Sequence, residues 1–165
     1  MLSKALNITA TLLMALVILL TVPLTIPRLF GYQIYGILTE SMDPVYPVGS
    51  VVYVKPAEPE DIQVGDAITF RLGTGTDASA THRVEEIDTE QQQFITKGDA
   101  NASSDVEPVP FSQLVGKVTG KLPWLGRFSV YLHSWKGIAA CIVVFAAALI
   151  LWKTAEKVKL KESKK

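Results

Sequence analysis

The chain has 165 residues, of which 48% are hydrophobic and 19% are charged, and its 16 basic residues balance its 16 acidic residues. This length is sufficient for one domain of about 100 residues with additional segments, and it excludes two sizeable hydrophobic cores. The neutral total gives no sign of the basic surface that nucleic-acid-binding proteins carry.

The first predicted element is an N-terminal transmembrane anchor over residues 1–27. Residues 5–27 carry no charge, and a helix rising about 1.5 Å per residue crosses a ~30 Å hydrocarbon layer over this length. Pro23 and Pro27 predict that the helix kinks or ends there, and Arg28 marks its exit. The alternative is a cleavable signal peptide. The bulky residues that follow the apolar run favour an uncleaved anchor.

Residues 28–129 are predicted to form a β-rich domain. Short apolar or alternating runs are separated by glycine, proline and acidic clusters, without a helical period. Six such runs in a segment of this size predict a mainly β fold, with an antiparallel sheet curled into a small barrel or sandwich. The candidate strands cover residues 32–38, 50–55, 66–72, 81–88, 93–97 and 114–120.

A second apolar stretch predicts a C-terminal transmembrane helix over residues 130–152. Its central part, residues 137–152, is apolar on all faces, which is typical of a helix in lipid or inside a large protein. Because this chain is too small for the latter, a membrane span is favoured, with Trp135 and Trp152 as interfacial aromatic residues. Residues 153–165 form a basic tail.

The charges are distributed unevenly along the chain. Lys4 contributes +1, residues 28–136 hold nine basic and fourteen acidic residues for a net −5, and the tail contributes +4. The positive-inside rule therefore predicts two spans, with both termini in the cytoplasm and the β domain outside. The acidic middle domain would repel phosphates, so no nucleic-acid partner is predicted.

Metal and disulfide chemistry find little support in the sequence. The single cysteine, Cys141, lies in the second span and cannot form an intramolecular disulfide. One cysteine and two distant histidines cannot build a structural zinc site. We therefore predict no metal and no cofactor.

Candidate catalytic residues lie in two blocks, Thr39-Glu40-Ser41-Met42-Asp43-Pro44 and Thr81-His82-Arg83-Val84. A serine hydroxyl needs a nearby base, and the chain has only two histidines. His133 lies at a membrane edge, so His82 is the candidate, and imidazole with an ordinary pKa near ~6.5 suits proton transfer around neutrality. Strand alternation sends His82 and Arg83 to opposite faces. Taken alone, Ser41 would be an ordinary turn residue.

A third block, Lys97-Gly98-Asp99-Ala100-Asn101 with Asp105 close behind, supplies carboxylates that could orient the imidazole. We favour Asp105 for this role and Asp99 as a support for the loop, although aspartate in such a turn can also simply bond backbone amides. Lys97 and Lys55 are alternative bases. The oxyanion donor leaves no signature in the sequence, and the Ser41 amide is the default choice.

In this order the three blocks resemble the type I signal peptidases, in their archaeal and endoplasmic-reticulum branch. The branch rests on His82, because the bacterial housekeeping enzymes carry lysine there. The resemblance covers residues 37–117 and implies a serine endopeptidase of the cell membrane, with Ser41 as nucleophile, His82 as base and Asp105 or Asp99 as the orienting carboxylate. It also implies secretory preproteins as substrates, with small side chains at their −1 and −3 positions.

Membrane lipid surrounds the two predicted spans, and the protein-export machinery is a candidate further partner. Two other functions stay open from the sequence. One is a membrane-tethered serine-lysine hydrolase with a different substrate range, using Lys97 or Lys55. The other is a non-catalytic β domain that binds a partner outside the cell, in which Ser41 and both aspartates are only turn residues.

Overall fold

The computed structural model describes residues 2–73, 78–123, 125–126 and 134–162. These residues fall into two compact units, one containing two long apolar helices and the other containing a β-sheet. The helices are α1 (Leu2–Leu29) and α2 (Trp135–Glu162). The strands are β1 (Gln33–Gly36), β2 (Val51–Lys55), β3 (Ala67–Arg71), β4 (Ser79–Asp88), β5 (Gln93–Lys97), β6 (Val109–Pro110) and β7 (Leu114–Leu122).

Both helices are long and apolar enough to cross a membrane. Their mean hydropathy reaches 2.3 in α1 and 2.2 in α2, and only 6% and 11% of the most apolar windows are buried within the protein. A helix whose apolar surface stays uncovered by protein is suited to lipid rather than to a soluble core. The two helices therefore fit a membrane protein.

The N-terminal helix runs through Pro23 and Pro27 and ends at Leu29, two residues beyond the predicted end of the anchor. It stays helical from Leu2 to Leu29, although proline removes one backbone donor each time. Threonine hydroxyls in the same stretch bond back to carbonyls one turn earlier, Thr21 to Val17 at 2.7 Å and Thr25 to Thr21 at 2.8 Å.

The C-terminal helix does not end at Trp152, where the sequence placed the start of the tail. It continues to Glu162 through the run Lys153-Thr154-Ala155-Glu156-Lys157. Alanine, glutamate and lysine are good helix formers, and lysines in the last turn interact favourably with the helix dipole. The basic segment is thus an extension of the helix, at least as far as Glu162.

The second unit is a single antiparallel sheet of seven strands in the order β1-β2-β7-β3-β4-β5-β6. The late strand β7 lies between β2 and β3 and pairs with both, so it joins the two halves of the domain. Irregular registers in the β2–β7, β3–β7 and β4–β5 pairs bend the strands locally, as bulges do. The mainly β prediction is confirmed, and the sheet is a curled half-barrel.

The six predicted strands are all present, with small differences at their ends. Residues 93–97 are predicted without error, whereas β4 begins two residues earlier than predicted, at Ser79. The additional strand, β6, has only two residues and contains Pro110, so it carries no alternation that a sequence could display. It pairs with β5 at one edge of the sheet.

Two hydrophobic clusters form the core of the sheet domain. The first contains Ile37, Met42, Val52, Val54, Ala67 and Val118. The second contains Ile62, Ile68, Phe70, Val84, Phe94 and Val109. Strand β3 contributes to both because its first four residues are all buried. The buried Thr69 on this strand meets the hydroxyl of Thr81 at 2.8 Å, so neither polar group is left unpaired.

Candidate active site

Ser41 lies in a short 3-10 helix, Glu40–Met42, that follows β1. The next residue, Met42, is only 1% exposed and packs in the first hydrophobic cluster, so it anchors the turn to the core. The Met42 carbonyl accepts a hydrogen bond from the Tyr46 amide at 2.8 Å. Met42 also lines the cleft beside Ser41, although its side chain is nearly fully covered.

His82 lies on β4 and faces Ser41. Its Nε2 is 3.1 Å from the Ser41 hydroxyl oxygen, which is hydrogen-bonding distance. Its side chain is 16% exposed, and its ring meets Phe70 on the paired strand edge to face, with centroids 6.1 Å apart. The neighbouring inward residue Val84 is 1% exposed. The strand thus fixes the imidazole between a packed core and an accessible serine.

Asp105 completes a hydrogen-bonded line behind the imidazole. Its Oδ2 is 2.5 Å from Nδ1 of His82 and also accepts a hydrogen bond from the Thr96 hydroxyl at 2.7 Å. The Asp105 amide donates to the Thr96 carbonyl at 2.8 Å. Strand β5 therefore holds both the backbone and the carboxylate of Asp105 through one residue.

Asp99 has a different partner. Its two carboxylate oxygens each accept a hydrogen bond from the Arg83 guanidinium at 2.7 Å, and Arg83 also donates to the Gly65 carbonyl at 2.7 Å. The hydrogen bond from Asp99 is the main reason that the pKa of Arg83 is raised above its ordinary value. Among the described residues Asp99 makes no hydrogen bond to His82. Its contacts tie the loop after β5 to the outer face of β4.

The loop after β5 also touches the nucleophile segment directly. The Ala100 amide donates a hydrogen bond to the Ser41 carbonyl at 2.9 Å, and a Cβ placed on Gly98 would lie 2.5 Å from that same oxygen. Only a residue without a side chain permits this approach. The third sequence block thus contacts the backbone of Ser41 near its start, and the same loop ends at Asp105.

Thr39 is a site residue that the sequence analysis missed. Its hydroxyl lies 3.2 Å from the Ser41 hydroxyl, and either group can donate this hydrogen bond. Thr39 is therefore a candidate side-chain donor to an oxyanion. The signal was available, since a hydroxyl residue stands two positions before Ser41 at the edge of the same turn. That the Ser41 backbone amide donates a second hydrogen bond to the oxyanion stays a prediction.

The alternative bases are not near the serine hydroxyl. The Lys97 ammonium lies 3.5 Å from a carboxylate oxygen of Glu85. Across the described parts of the chain, neither Lys97 nor Lys55 is hydrogen-bonded to Ser41. His133, the other histidine, lies outside the described residues.

A small cleft opens in front of Ser41, with a volume of about 220 Å³. Its lining includes Ile37, Ala80 and the phenol of Tyr35, which donates a hydrogen bond to Gln33 at 2.7 Å. Burial raises the pKa of Tyr35, and nearby Arg71 partly opposes the shift. Apart from His82, the side chains that line this cleft are apolar or neutral polar groups.

No group of three or more histidine, cysteine or acidic side chains suited to hold a metal ion occurs within the described ranges. Serine, histidine and aspartate instead form one continuous hydrogen-bonded line, the arrangement by which serine hydrolases activate a hydroxyl. The geometry of this site matches that of the serine hydrolase class, and it lies on a β domain in a chain with two long apolar helices.

Comparisons with known proteins agree with that class. The chain is 36% identical over 97 residues to signal peptidase I W of Bacillus subtilis (strain 168), which covers 57% of this chain and 50% of the relative. It is 26% identical over 127 residues to signal peptidase complex catalytic subunit SEC11C of Rattus norvegicus, covering 71% and 66%. The SEC11 subunit of Candida albicans (strain WO-1) is 29% identical over 106 residues, covering 58% and 63%.

The chain therefore spans about half to two thirds of the length of these curated relatives. No protein-family model matches it. The relatives come from a bacterium, a mammal and a yeast, and all of them are named as signal peptidases or as subunits of the signal peptidase complex. These similarities to signal peptidase I and to SEC11 catalytic subunits agree with the type I signal peptidase family, in its archaeal and endoplasmic-reticulum branch, that the sequence resembles.

Proposed function

We propose that this protein is a membrane-anchored serine endopeptidase that removes N-terminal signal peptides from exported preproteins. The observation that carries the proposal is the hydrogen-bonded line from Ser41 through His82 to Asp105, with distances of 3.1 and 2.5 Å. Its relationship to signal peptidases supports the choice of substrate.

In the proposed mechanism Ser41 Oγ attacks the scissile carbonyl while Nε2 of His82 accepts its proton. Asp105 stabilises the imidazolium that forms and keeps the ring in the orientation that reaches Ser41. The Thr39 hydroxyl and the Ser41 amide stabilise the oxyanion of the tetrahedral intermediate. His82 then protonates the leaving amine, and water hydrolyses the acyl-enzyme by the same route.

The cleft of about 220 Å³ in front of Ser41 supports a preference for small side chains on the acyl side of the scissile bond. Its floor and wall include the apolar residues Met42, Ile37 and Ala80, which belong to or adjoin the packed core. A larger substrate side chain would have to displace them, and overpacking of this kind is unfavourable. Substrate side chains about the size of alanine would fit in this cleft without displacing its walls.

We further propose that both helices span the cell membrane, with both termini in the cytoplasm and the sheet domain outside. The observations that support it are the basic end of α2 and the acidic sheet domain. In a Cys141→Ser background, a cysteine at exposed Thr89 should react with an impermeant thiol reagent from outside only. One at Lys161 should react from inside only, and the opposite pattern would reject this orientation.

The decisive experiment for the activity is preprotein cleavage by membranes that contain equal amounts of the wild-type chain or Ser41→Ala. Ser112→Ala is the matched control, because Ser112 is exposed and lies outside all three blocks. We expect loss of cleavage in Ser41→Ala alone. Comparison of His82→Ala with Lys97→Ala shows whether histidine or lysine is the base. Cleavage that survives in His82→Ala would favour the serine-lysine alternative.

A further inference from the structure

A second groove adjoins the cleft beside Ser41. It has a volume of about 660 Å³, and Leu72, Ala80 and His82 line both. Asp105 also lines this groove, whereas Ser41 and Met42 line only the smaller cleft. The two openings therefore share a boundary at the imidazole, and the groove lies on its carboxylate side.

The proposed reaction assigns the two openings to opposite sides of the scissile bond. The acyl group becomes attached to Ser41, so the residues before the bond belong in the cleft that Ser41 lines. The leaving amine takes its proton from His82, so the chain that carries this amine must lie at the imidazole. The groove beyond His82 is then the place for the first residues of the mature protein.

The groove has an apolar floor and an acidic rim. Phe70 and Val109 form part of the floor and belong to the second hydrophobic cluster, so this floor is fixed by the core. Glu107 stands at the rim, exposed, and makes no hydrogen bond or ion pair with any other described residue. Asp105 is already engaged by His82 and Thr96. Glu107 is thus a carboxylate with a free charge beside the path of the leaving chain.

We propose that this groove binds the first residues after the cleavage site and that Glu107 selects for a cationic side chain there. This inference rests on the proposed function. A lysine or arginine at the first or second mature position would place its charge near Glu107 and its aliphatic stem on the apolar floor. An acidic residue at the same position would be repelled. The selection acts on the leaving side and is separate from the preference for small residues in the cleft.

The test uses three preproteins that differ only in the second mature residue, which is lysine, serine or glutamate. Wild-type chain in detergent should cleave the lysine substrate about fivefold faster in kcat/KM than the glutamate substrate at low ionic strength, because an exposed charge pair has a modest, screened effect. The ratio should fall towards one in Glu107→Gln and invert in Glu107→Lys. Cleavage of the serine substrate should stay within about twofold in both variants.

Glu90→Gln is the matched control, because Glu90 is an exposed acid that lines neither opening. It should keep the wild-type ratio. An unchanged ratio in Glu107→Gln, or an equal loss in Glu90→Gln, would overturn the assignment of Glu107 while leaving the peptidase function in place. Absence of Ser41-dependent cleavage of all three substrates would overturn the proposed function and this inference with it.

Discussion

Gly98 is the position at which one added methyl group tests how the nucleophile is held. A Cβ on Gly98 would lie 2.5 Å from the Ser41 carbonyl oxygen and 2.8 Å from Nδ2 of Asn101. The backbone of Gly98 lies outside the left-handed region, so alanine adds no backbone strain of its own. Because the nearest atom belongs to the backbone, rotation of a side chain cannot relieve the contact. Either the loop or the Ser41 segment must move.

The size of that movement follows from the distances. Ordinary contacts begin at 3.4 Å, so the Gly98→Ala contact is short by about 0.9 Å. The hydrogen bond from the Ala100 amide to the Ser41 carbonyl, 2.9 Å long, would be strained by the same displacement. A misplacement of about 1 Å can lower a rate by about 10²-fold. We therefore expect Gly98→Ala to reduce kcat/KM about 100-fold, with an overpacking cost of about 1–3 kcal/mol in stability.

The assay is preprotein cleavage by the purified full chain, with thermal unfolding measured on the same samples. Gly120→Ala is the control, because its added Cβ would meet only a ring carbon of Tyr53, at 3.4 Å. It should retain nearly all activity. If Gly98→Ala kept more than half of the wild-type rate, or if both variants lost activity equally, this close approach would not be what positions Ser41.

Three further predictions concern the hydrogen-bonded site, each measured as preprotein cleavage by equal amounts of folded protein. Ser41→Ala should lower turnover by about 10⁴- to 10⁶-fold, which corresponds to roughly 5–8 kcal/mol in the activation barrier. If this variant kept more than about a tenth of the wild-type rate, Ser41 could not be the nucleophile. Thr39→Val should lower kcat by about 10²-fold with little change in KM, as loss of one oxyanion donor does, and a change confined to KM would exclude that role. Asp105→Asn should lower kcat by about 10⁴-fold, whereas Asp99→Asn should mainly lower the melting temperature. The opposite result would exchange the roles of the two aspartates.

Alternation and turn residues were sufficient to predict most of the sheet from the sequence. In β5 the buried Phe94 and Thr96 alternate with more exposed neighbours, which is the pattern of a half-buried strand. The ends of α1 and α2 were less predictable. Helix α1 ends two residues after Pro27, and the lysines after Trp152, which are hydrophilic yet good helix formers, continue α2 to Glu162.

For the candidate site, the sequence supplied the chemical groups but not all of their partners. The resemblance matches both aspartates and does not separate them, whereas the structure brings only Asp105 within hydrogen-bonding distance of Nδ1 of His82 and pairs Asp99 with Arg83. The role of Arg83 was hidden because alternation gives the face of a side chain without its long-range contacts. Thr39 was overlooked because a hydroxyl before a turn is common.

Strand β4 shows why the loop after β5 needs both of its aspartates. One face of β4 presents His82 to Ser41, and the opposite face presents Arg83 to Asp99. The loop that carries Asp99 also contacts the Ser41 backbone and ends at Asp105, which bonds His82. Because one strand and one loop are tied on both faces, a shift of the loop changes the serine and the carboxylate together. We therefore predict that Asp99 supports the hydrogen-bonded line mainly by stabilising this loop, although it touches none of the reacting atoms.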